Sequence, residues 1–456
     1  MTYALRYLLV LLAPLAIVQA QAVTDSIYSP SLRALRAEVT AGDSAAVSRF
    51  WQRIGAKGAP IVEDIAEDPR FQRVTFLYRG GSDTRSVAAI TLENHQLAND
   101  RYFALGRLGR LQGTDVWYRT YRLRSDARFT YRLSPNDDRL FADLQGPAWT
   151  ERVGHARADS LNPRRVKTRD GVVSLVELRD APKQPWITRD ATVARGALDS
   201  TSLRSTTLGN ERTIKIYTPP GYAAGSRATN LVVVLDGESV PDDMPIPTIL
   251  DNLIAARRLG PTIAVMVGNA PGARPAELSY SPAFATFVRR ELMPWIRARY
   301  RVPTDPARIV IAGQSLGGSA AAHLGVVMPE LFGNVLAQSG GFAARHTRAT
   351  AAQAVRQPEQ LVEDDFPEGE WLTRELATTP KRRLRFHLDV GTLEDVAWEF
   401  PRPQYATPTV LVANRHLRDV LEAKGYWVRY REINGPHDPL SWRGTFGDAL
   451  ISLIGQ

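Results

Sequence analysis

Residues 309–318 read IVIAGQSLGG, an apolar run that passes directly into a serine between glycines. The run Arg308–Ala312 is typical of a buried strand, and the alanine-rich segment Gly318–Met328 is typical of a helix that ends before Pro329. The pattern Gly-x-Ser-x-Gly alone occurs by chance in many chains. A strand, a tight turn, a serine and a helix in this order are typical of the strained turn that carries a catalytic serine. We therefore predict that Ser315 is a nucleophile.

The rest of the C-terminal two-thirds alternates apolar strand candidates with helical segments. The helical patterns cover Phe284–Arg299 and Val410–Lys424, and the strand candidates read NLVVVLDG, TIAVMVG, RIVIAG, RFHLDVG and WVRYREI. Continuous apolar runs between helices indicate a parallel sheet that is covered on both faces. This pattern predicts an α/β domain over residues 191–456.

The N-terminal part has a different hydrophobic periodicity after a short helical segment. Val74, Phe76 and Tyr78 occupy alternate positions in FQRVTFLYR, and a second alternating stretch ends in FTYRLSP. Alternation of this kind indicates antiparallel strands with one face in water, so we predict a small all-β sandwich over residues 23–150. Residues 151–190 are rich in Pro, Asp and Arg and are predicted to be a linker.

Composition limits the classes of function. The chain has 456 residues, 44% hydrophobic and 23% charged, which is typical of a soluble globular protein of two domains. A net charge of +9 suggests an anionic partner, but no dense Lys/Arg run indicates nucleic-acid binding. The absence of cysteine from the sequence excludes disulfides, zinc–cysteine sites and a cysteine nucleophile. Since the sequence also lacks a His-Glu-x-x-His motif, we expect no metal or other cofactor held by the protein.

The first 22 residues are typical of a signal peptide. Arg6 precedes the apolar stretch Tyr7–Val18, which is shorter than the ~20 residues of a membrane span. Small residues then offer cleavage sites after Ala20 and Ala22. We expect a periplasmic protein with no stable membrane span after cleavage. An uncleaved anchor and a cytoplasmic location are the alternatives.

A serine nucleophile needs a base, and on this fold the chain order is serine, acid, histidine. Of the seven histidines, only His437, in INGPHDPLSW, lies in a loop directly after a late strand. The acid should follow the strand before it, where LDVGTLEDV offers Glu394 and Asp395 just beyond the strand end. Glu394 is favoured, and Asp395 remains open.

Backbone amides near the serine are candidates for stabilising an oxyanion. The amide of Leu316 lies at the start of the predicted helix, where helix amides lack partners within the helix. A second amide is expected from the loop after NLVVVLDGE, at Gly237 or Glu238.

Several motifs occur in the same order as in one known family, and they span both predicted domains. They read RLQGTDVWYRTYRL, FTYRLSP, DSLNP, VVVLDGE, RPAEL, AGQSLGG, AQSGG and GPHDPLSWRG. Through them the chain resembles the enterochelin (enterobactin) esterases, a branch of the esterase D-like α/β-hydrolases. The resemblance implies an early-set, immunoglobulin-like sandwich before a hydrolase domain. It also implies cleavage of the trilactone esters of a tricatecholate siderophore, with iron arriving only as part of the substrate.

The resemblance extends to site residues. It matches Ser315, His437 and Glu394 to the family's nucleophile, base and acid, and the amides of Leu316 and of Gly237 or Glu238 to its oxyanion hole. The family's positions close to the ligand match Arg274 and Trp442, and Arg443 is a further candidate for substrate contact. Pairing of Arg274 with Glu277 is the structural alternative.

Two departures from the family pattern leave the substrate and location open. Phe342, Ala343 and Ala344 stand where family members commonly have bulky aromatics, which suggests a different siderophore. The best-known members with this layout are cytoplasmic. The alternatives in function are a general esterase D-like acyl or carbohydrate esterase and an exported siderophore-binding protein without turnover. The complete candidate triad argues against the binding protein, and the oligomeric state is not indicated.

Overall fold

The structure is a computed structural model that describes residues 29–90, 107–136, 154–168, 171–223, 228–343, 369–395 and 408–456. The predicted signal peptide, residues 1–22, lies outside the described residues. Within the described parts of the chain, no helix combines the length and hydrophobicity that a membrane crossing requires.

The described residues of the N-terminal part include two helices and eight strands. The helices are α1 (Pro30–Thr40) and α2 (Ala46–Lys57), and the strands are β1 (Ile61–Asp64), β2 (Phe71–Arg79), β3 (Val87–Ile90), β4 (Gly109–Arg110), β5 (Val116–Arg124), β6 (Arg128–Pro135), β7 (Arg165–Thr168) and β8 (Gly171–Glu177). They form two antiparallel sheets with strand orders β1-β2-β5-β4 and β3-β6-β8-β7. The predicted all-β sandwich is confirmed.

Strand β2 is buried on both faces, which the alternating pattern did not predict. Phe76 faces the space between the sheets, where it packs with Phe129 and Tyr131. Leu77 faces the other way and packs with Phe50 and other apolar residues of the two helices. Helices α1 and α2 therefore cover the face that we expected to lie in water.

The predicted linker 151–190 is wrong over much of its length. Strands β7 and β8 lie within it and extend the second sheet, with Leu175 of β8 opposite Thr130 of β6. The polar motif DSLNP also belongs to the sandwich, because the buried Asp159 accepts a hydrogen bond of 2.6 Å from the Tyr131 hydroxyl. The polar composition is typical of a linker. In the structure, however, these polar side chains form hydrogen bonds within the sandwich domain.

In the part of the chain that the structure describes, the C-terminal domain is built on an eight-stranded sheet with helices on both faces. Its strands are β9 (Ala197–Ser205), β10 (Asn210–Thr218), β11 (Asn230–Leu235), β12 (Thr262–Val267), β13 (Ile309–Gln314), β14 (Asn334–Gln338), β15 (Arg385–Gly391) and β16 (Trp427–Ile433). Its helices are α3 (Ile246–Ala255), α4 (Arg274–Leu278), α5 (Pro282–Phe287), α6 (Met293–Arg299), α7 (Leu316–Val327), α8 (Trp371–Thr378), α9 (Val410–Ala423) and α10 (Pro439–Ile454). A π-helical turn, Val288–Leu292, joins α5 to α6.

The sheet order is β16-β15-β14-β13-β11-β12-β10-β9. The strands from β16 to β12 are parallel, as predicted, but β10 and β9 pair antiparallel at one edge. The sheet is therefore mixed rather than wholly parallel. The predicted α/β class with a preceding sandwich is confirmed.

Burial on both faces explains the continuous apolar strands. Along β11, Leu231 and Val233 enter a core that includes residues of α5, α6, α7 and α9. The residue between them, Val232, enters a second core, which includes residues of α3 and α10. With both faces covered, the strand is apolar from Leu231 to Leu235, and the carboxyl ends of the parallel strands are left to form a site.

Candidate active site

The turn between β13 and α7 places Ser315 in a conformation that non-glycine residues rarely adopt. Its φ is 54° and its ψ is −126°. A Cβ on Gly313 would lie 2.2 Å from the carbonyl oxygen of Gly317, and a Cβ on Gly317 would lie 2.6 Å from a carboxylate oxygen of Asp236. Both glycines are required by close approach, so the turn has the geometry of a nucleophile elbow.

The structure joins His437 to Glu394 and not to Asp395. The Nδ1 atom of His437 lies 2.7 Å from Oε2 of Glu394, whose side chain has 0% exposure. Asp395 is exposed, and its carboxylate accepts from the Thr409 hydroxyl at 3.1 Å. Since Thr409 caps helix α9, Asp395 has a structural partner at the start of that helix.

Other donors hold the second carboxylate oxygen of Glu394. Oε1 accepts from the backbone amide of Gly391 at 2.7 Å and from the Ser339 hydroxyl at 2.5 Å. The Ser339 hydroxyl in turn accepts from the indole of Trp442 at 2.8 Å. The sequence pattern predicts no role for Ser339, although it lies in the motif AQSGG at the carboxyl end of β14. Its position at a strand end was the signal that could have identified it.

Three other histidines have partners away from this site. His387 is buried within β15 between Asp389 and Ser452. His416 lies on α9 and contacts Glu370. His323 lies in α7, where its ring packs against aromatic side chains.

The candidate oxyanion amides lie at two adjoining segments. Leu316 is the first residue of α7, and Gly237 and Glu238 form a short 3-10 turn directly after β11. A Cβ on Gly317 would collide with the Asp236 carboxylate, so the residue after β11 lies close to the first turn of the helix. A helix N-terminus and a tight turn at this edge are suited to stabilising developing negative charge.

Arg274 pairs with Asp236, which sequence reasoning missed. Its Nε and one terminal nitrogen lie 2.7 and 2.8 Å from the two carboxylate oxygens of Asp236, while Asn269 donates to the same carboxylate at 2.7 Å. The alternative pairing of Arg274 with Glu277 is wrong, since Glu277 forms a buried bidentate pair with Arg212. The Arg274 side chain remains 39% exposed, so substrate contact by this arginine stays a prediction.

Trp442 lies behind the histidine rather than on an open surface. It is 6% exposed, and its ring meets that of His437 edge to face at 4.9 Å. Direct substrate contact by Trp442, as predicted, does not fit this burial, and the side chain supports His437 and Ser339 instead. The signal was present in the sequence, because Trp442, Phe446 and Leu450 follow one another at helical spacing and enter one core.

Arg443 also lies largely inside the protein. Burial lowers the pKa of its guanidinium, and its Nε atom is buried without a hydrogen-bond partner among the described residues. Asp438 and Asp243 contribute opposing electrostatic effects that favour the charged form. Its predicted role in substrate binding stays a prediction.

Among the described residues, no group of three or more His, Asp or Glu side chains is arranged to hold a metal ion. The groups that follow the carboxyl ends of the parallel strands are a serine on a strained turn, a carboxylate-held imidazole and two candidate oxyanion amides. Together they can carry out nucleophilic acyl transfer.

Two family models match the chain. The model "Putative esterase" matches residues 205–453, and the model "Enterochelin esterase, N-terminal" matches residues 73–187. The second range extends past residue 150 and includes β7 and β8, in agreement with the sheet pairing.

Known relatives are similar over nearly the whole chain. The iron(III) enterobactin esterase of Escherichia coli O6:H1 (strain CFT073) is 30% identical, covering 88% of this chain and 93% of that protein. The iron(III) enterobactin esterase of Dickeya dadantii is 28% identical and covers 89% and 92%. The crystal structure of the Shigella flexneri enterobactin esterase in the presence of enterobactin is 26% identical, with a TM-score of 0.66 over 89% of this chain and 97% of that chain. The resemblance found in the motifs is confirmed, and the chain belongs to the enterobactin esterases, a family of hydrolases.

Proposed function

We propose that this chain is a serine esterase that hydrolyses the ester bonds of a ferric catecholate siderophore such as enterobactin. One observation carries the proposal: the buried carboxylate of Glu394 lies 2.7 Å from Nδ1 of His437, in a domain whose Ser315 occupies a strained elbow. Family membership supports the substrate class, since relatives that align over nearly the whole chain are named enterobactin esterases.

The proposed reaction gives a role to each of these groups. Because Glu394 accepts from Nδ1 of His437, Nε2 is the nitrogen that takes the proton from the Ser315 hydroxyl. The serine oxygen attacks the ester carbonyl carbon, and the carbonyl oxygen becomes an oxyanion facing the amides of Leu316 and of Gly237 or Glu238. When the intermediate collapses, the ester C–O bond breaks and the imidazolium gives its proton to the leaving alkoxide. Water then repeats the sequence on the acyl-enzyme, releasing the acid and restoring the serine.

Charge favours an anionic substrate. A ferric complex of three catecholates is a bulky trianion, and the chain has a net charge of +9. Arg274, with 39% of its side chain exposed, lies beside the turn that contains the candidate oxyanion amides. Its charge is shared with Asp236, so any contribution to substrate binding comes from the exposed part of the guanidinium.

One observation favours a second candidate, a more general acyl esterase. The only aromatic ring in the segment Phe342-Ala343-Ala344 belongs to Phe342, which has 0% exposure and packs in the core. This ring therefore offers no surface on which a catechol could stack. Feruloyl esters and acyl sugars are the substrates to compare.

The proposal is tested with the purified chain and a Ser315→Ala control. We expect the wild-type chain to convert ferric enterobactin to dihydroxybenzoyl-serine units, separated by chromatography, and to release p-nitrophenol from p-nitrophenyl butyrate. Loss of a triad member leaves only about 10³–10⁴-fold catalysis over water, so Ser315→Ala should have no measurable turnover.

Each negative result distinguishes a different alternative. Turnover of p-nitrophenyl butyrate or feruloyl esters without cleavage of ferric enterobactin would establish the general esterase. Tight binding of ferric enterobactin with no turnover of any ester would establish the binding protein.

We further propose that the protein is exported to the periplasm, where it would act on the ferric complex after uptake through the outer membrane. The support is the sequence of residues 1–22, with Arg6 before an apolar run and small residues at Ala20 and Ala22. N-terminal sequencing of the protein from fractionated cells should give a start near residue 21 or 23. An intact Met1 in the cytosolic fraction would refute export.

A further inference from the structure

The loop that carries His437 is short and joins two regular elements. Strand β16 ends at Ile433 and helix α10 begins at Pro439, so five residues separate them. Within the hydrolase domain, Glu394 fixes the imidazole through Nδ1 and Trp442 packs against its ring. These contacts orient the ring, but the position of the ring also depends on the backbone at the two ends of the loop.

The downstream end of the loop is held by the other domain. Asp438, next to His437, is 2% exposed, and its Oδ1 atom caps helix α10 by accepting from the Leu440 amide at 2.7 Å. Its Oδ2 atom accepts from Thr130 of strand β6 twice, from the backbone amide at 3.1 Å and from the hydroxyl at 2.7 Å. Two of these three donors therefore belong to the sandwich, 308 residues away in the chain.

The upstream end is held by the same part of the sandwich. Asn434 donates through its side-chain amide to the Asp126 carboxylate at 2.7 Å, and its own side-chain oxygen accepts from Thr392 at 3.0 Å. Asp126 lies in the turn that leads into β6. Strand β6 and its preceding turn thus contact the residues on both sides of the histidine.

The two Thr130 bonds are expected to matter because Asp438 is a buried carboxylate. Burial raises the pKa of Asp438, and the donors from Leu440 and Thr130 oppose this effect by stabilising the charged form. A buried acceptor that loses a donor bears the cost of an unsatisfied polar group, and this cost favours a movement of Asp438 towards another donor. Any movement of Asp438 also moves the neighbouring backbone of His437.

We propose that Thr130 of the N-terminal sandwich is a positioning residue for the catalytic histidine, acting through Asp438. The proposal rests on the proposed function only in requiring that Ser315 and His437 hydrolyse esters. It makes the sandwich part of the catalytic apparatus, whichever siderophore the enzyme prefers.

Thr130→Val tests the proposal, because valine keeps the shape and removes only the hydroxyl donor. Thr130→Ser restores the donor. The matched control is Thr75→Val on β2, whose buried hydroxyl lies 2.9 Å from that of Thr120 within the other sheet of the sandwich. The three variants and the wild type are compared in kcat and KM for p-nitrophenyl butyrate and in thermal unfolding.

We expect Thr130→Val to lower kcat by about 10- to 100-fold with KM little changed, since small misplacements of a catalytic group have effects of this size. Thr130→Ser should recover most of the loss, and Thr75→Val should stay near the wild type. An equal loss in Thr130→Val and Thr75→Val, or no recovery by serine, would overturn the proposal.

A fourth variant keeps the proposal testable if Thr130→Val does not fold. Asp126→Ala removes the acceptor of Asn434 at a site where the side chain is 32% exposed, so the fold is expected to tolerate it. It should also lower kcat and leave KM unchanged, whereas an unchanged kcat would count against the support of the loop by the sandwich. If the wild type hydrolyses no ester, the proposed function is wrong. If the wild type and all the variants are equally active, the proposed function holds and the positioning role of Thr130 is wrong.

Discussion

Replacing Glu394 by glutamine keeps the size of the side chain and exchanges one carboxylate oxygen for an NH2 group. In the structure every partner of this carboxylate is a donor: the amide of Gly391 and the hydroxyl of Ser339 donate to Oε1, and Nδ1 of His437 faces Oε2 at 2.7 Å. Glutamine has a single oxygen. If that oxygen keeps the bonds from Gly391 and Ser339, the NH2 group faces the imidazole.

An NH2 group at that place donates to Nδ1 of His437 and so stabilises the wrong tautomer. The imidazole proton then lies on Nε2, which can no longer accept the proton of Ser315. The same change of tautomer in a serine protease triad lowers kcat about 10⁴-fold. At 1.36 kcal/mol per factor of ten, this is a rise of about 5 kcal/mol in the activation free energy. KM should change little, because the carboxylate is fully buried behind the histidine.

The assay is steady-state hydrolysis of p-nitrophenyl butyrate, with thermal unfolding to show that the variant is folded. Asp395→Asn is the matched control, since Asp395 is adjacent, exposed and bonded to Thr409. We expect its kcat to stay near that of the wild type. A larger loss in Asp395→Asn than in Glu394→Gln would move the acid to Asp395. Small and equal losses would show that His437 needs no carboxylate to orient it.

Two further predictions concern buried and half-buried charges. Arg274→Ala should raise KM much more for ferric enterobactin than for neutral p-nitrophenyl butyrate, because 39% of this cationic side chain is exposed beside the elbow. An equal loss of kcat/KM for both substrates would show instead that Arg274 acts only by holding the Asp236 carboxylate. Asp389→Asn should lower the free energy of unfolding at pH 7 by about 3–5 kcal/mol, because it breaks a buried ion pair with Arg431 next to His387. Burial alone would raise the pKa of Asp389, but His387 and Arg431 outweigh it and hold the pKa well below the usual 3.8. The difference between wild type and variant in denaturant unfolding should therefore be complete above pH 3.8 and shrink as the pH falls further, and a difference that grows in acid would contradict this.

The central sheet could be predicted because its strands are buried on both faces. A strand such as β11, with six consecutive buried residues, has a sequence signal that needs no knowledge of its neighbours. Strand β9 has no such signal, since TSLRS and the residues before it are mostly exposed. Its position comes from pairing with β10, and a single sequence does not contain that pairing.

The boundary of the sandwich was missed for the same reason. Strand β7 has four residues, and it follows a polar loop whose carboxylate is satisfied by the Tyr131 hydroxyl. The polarity of Asp159 and its neighbours is typical of a connection when they are seen alone. The contact of Asp159 with Tyr131 of β6 shows that these residues belong to the sandwich domain.

The candidate triad was easier to place than the groups around it. Chain order and predicted strand ends can be read from the sequence, and they indicate Ser315, Glu394 and His437. The partner of Arg274 depends on the left-handed conformation of Asp236, with φ of 57°, which turns its carboxylate toward the arginine and the elbow. A backbone conformation of this kind in a non-glycine residue has no reliable sequence signal.

The position of the His437 loop relative to the sheet gives a physical reason why the sandwich contacts this loop. Among the described strands, β16 lies at the edge of the sheet and pairs with β15 alone, so the loop after it has one neighbouring strand end in the described sheet. The serine has support on both sides, because β13 lies between β11 and β14. A histidine loop at an open edge needs support from outside the sheet if the imidazole is to stay within the narrow range of positions that catalysis requires. The bonds from β6 to Asp438 and from Asn434 to the turn before β6 supply that support. We therefore expect substitutions that destabilise the sandwich near β6 to lower kcat. Substitutions in the other sheet, β1-β2-β5-β4, should affect stability alone.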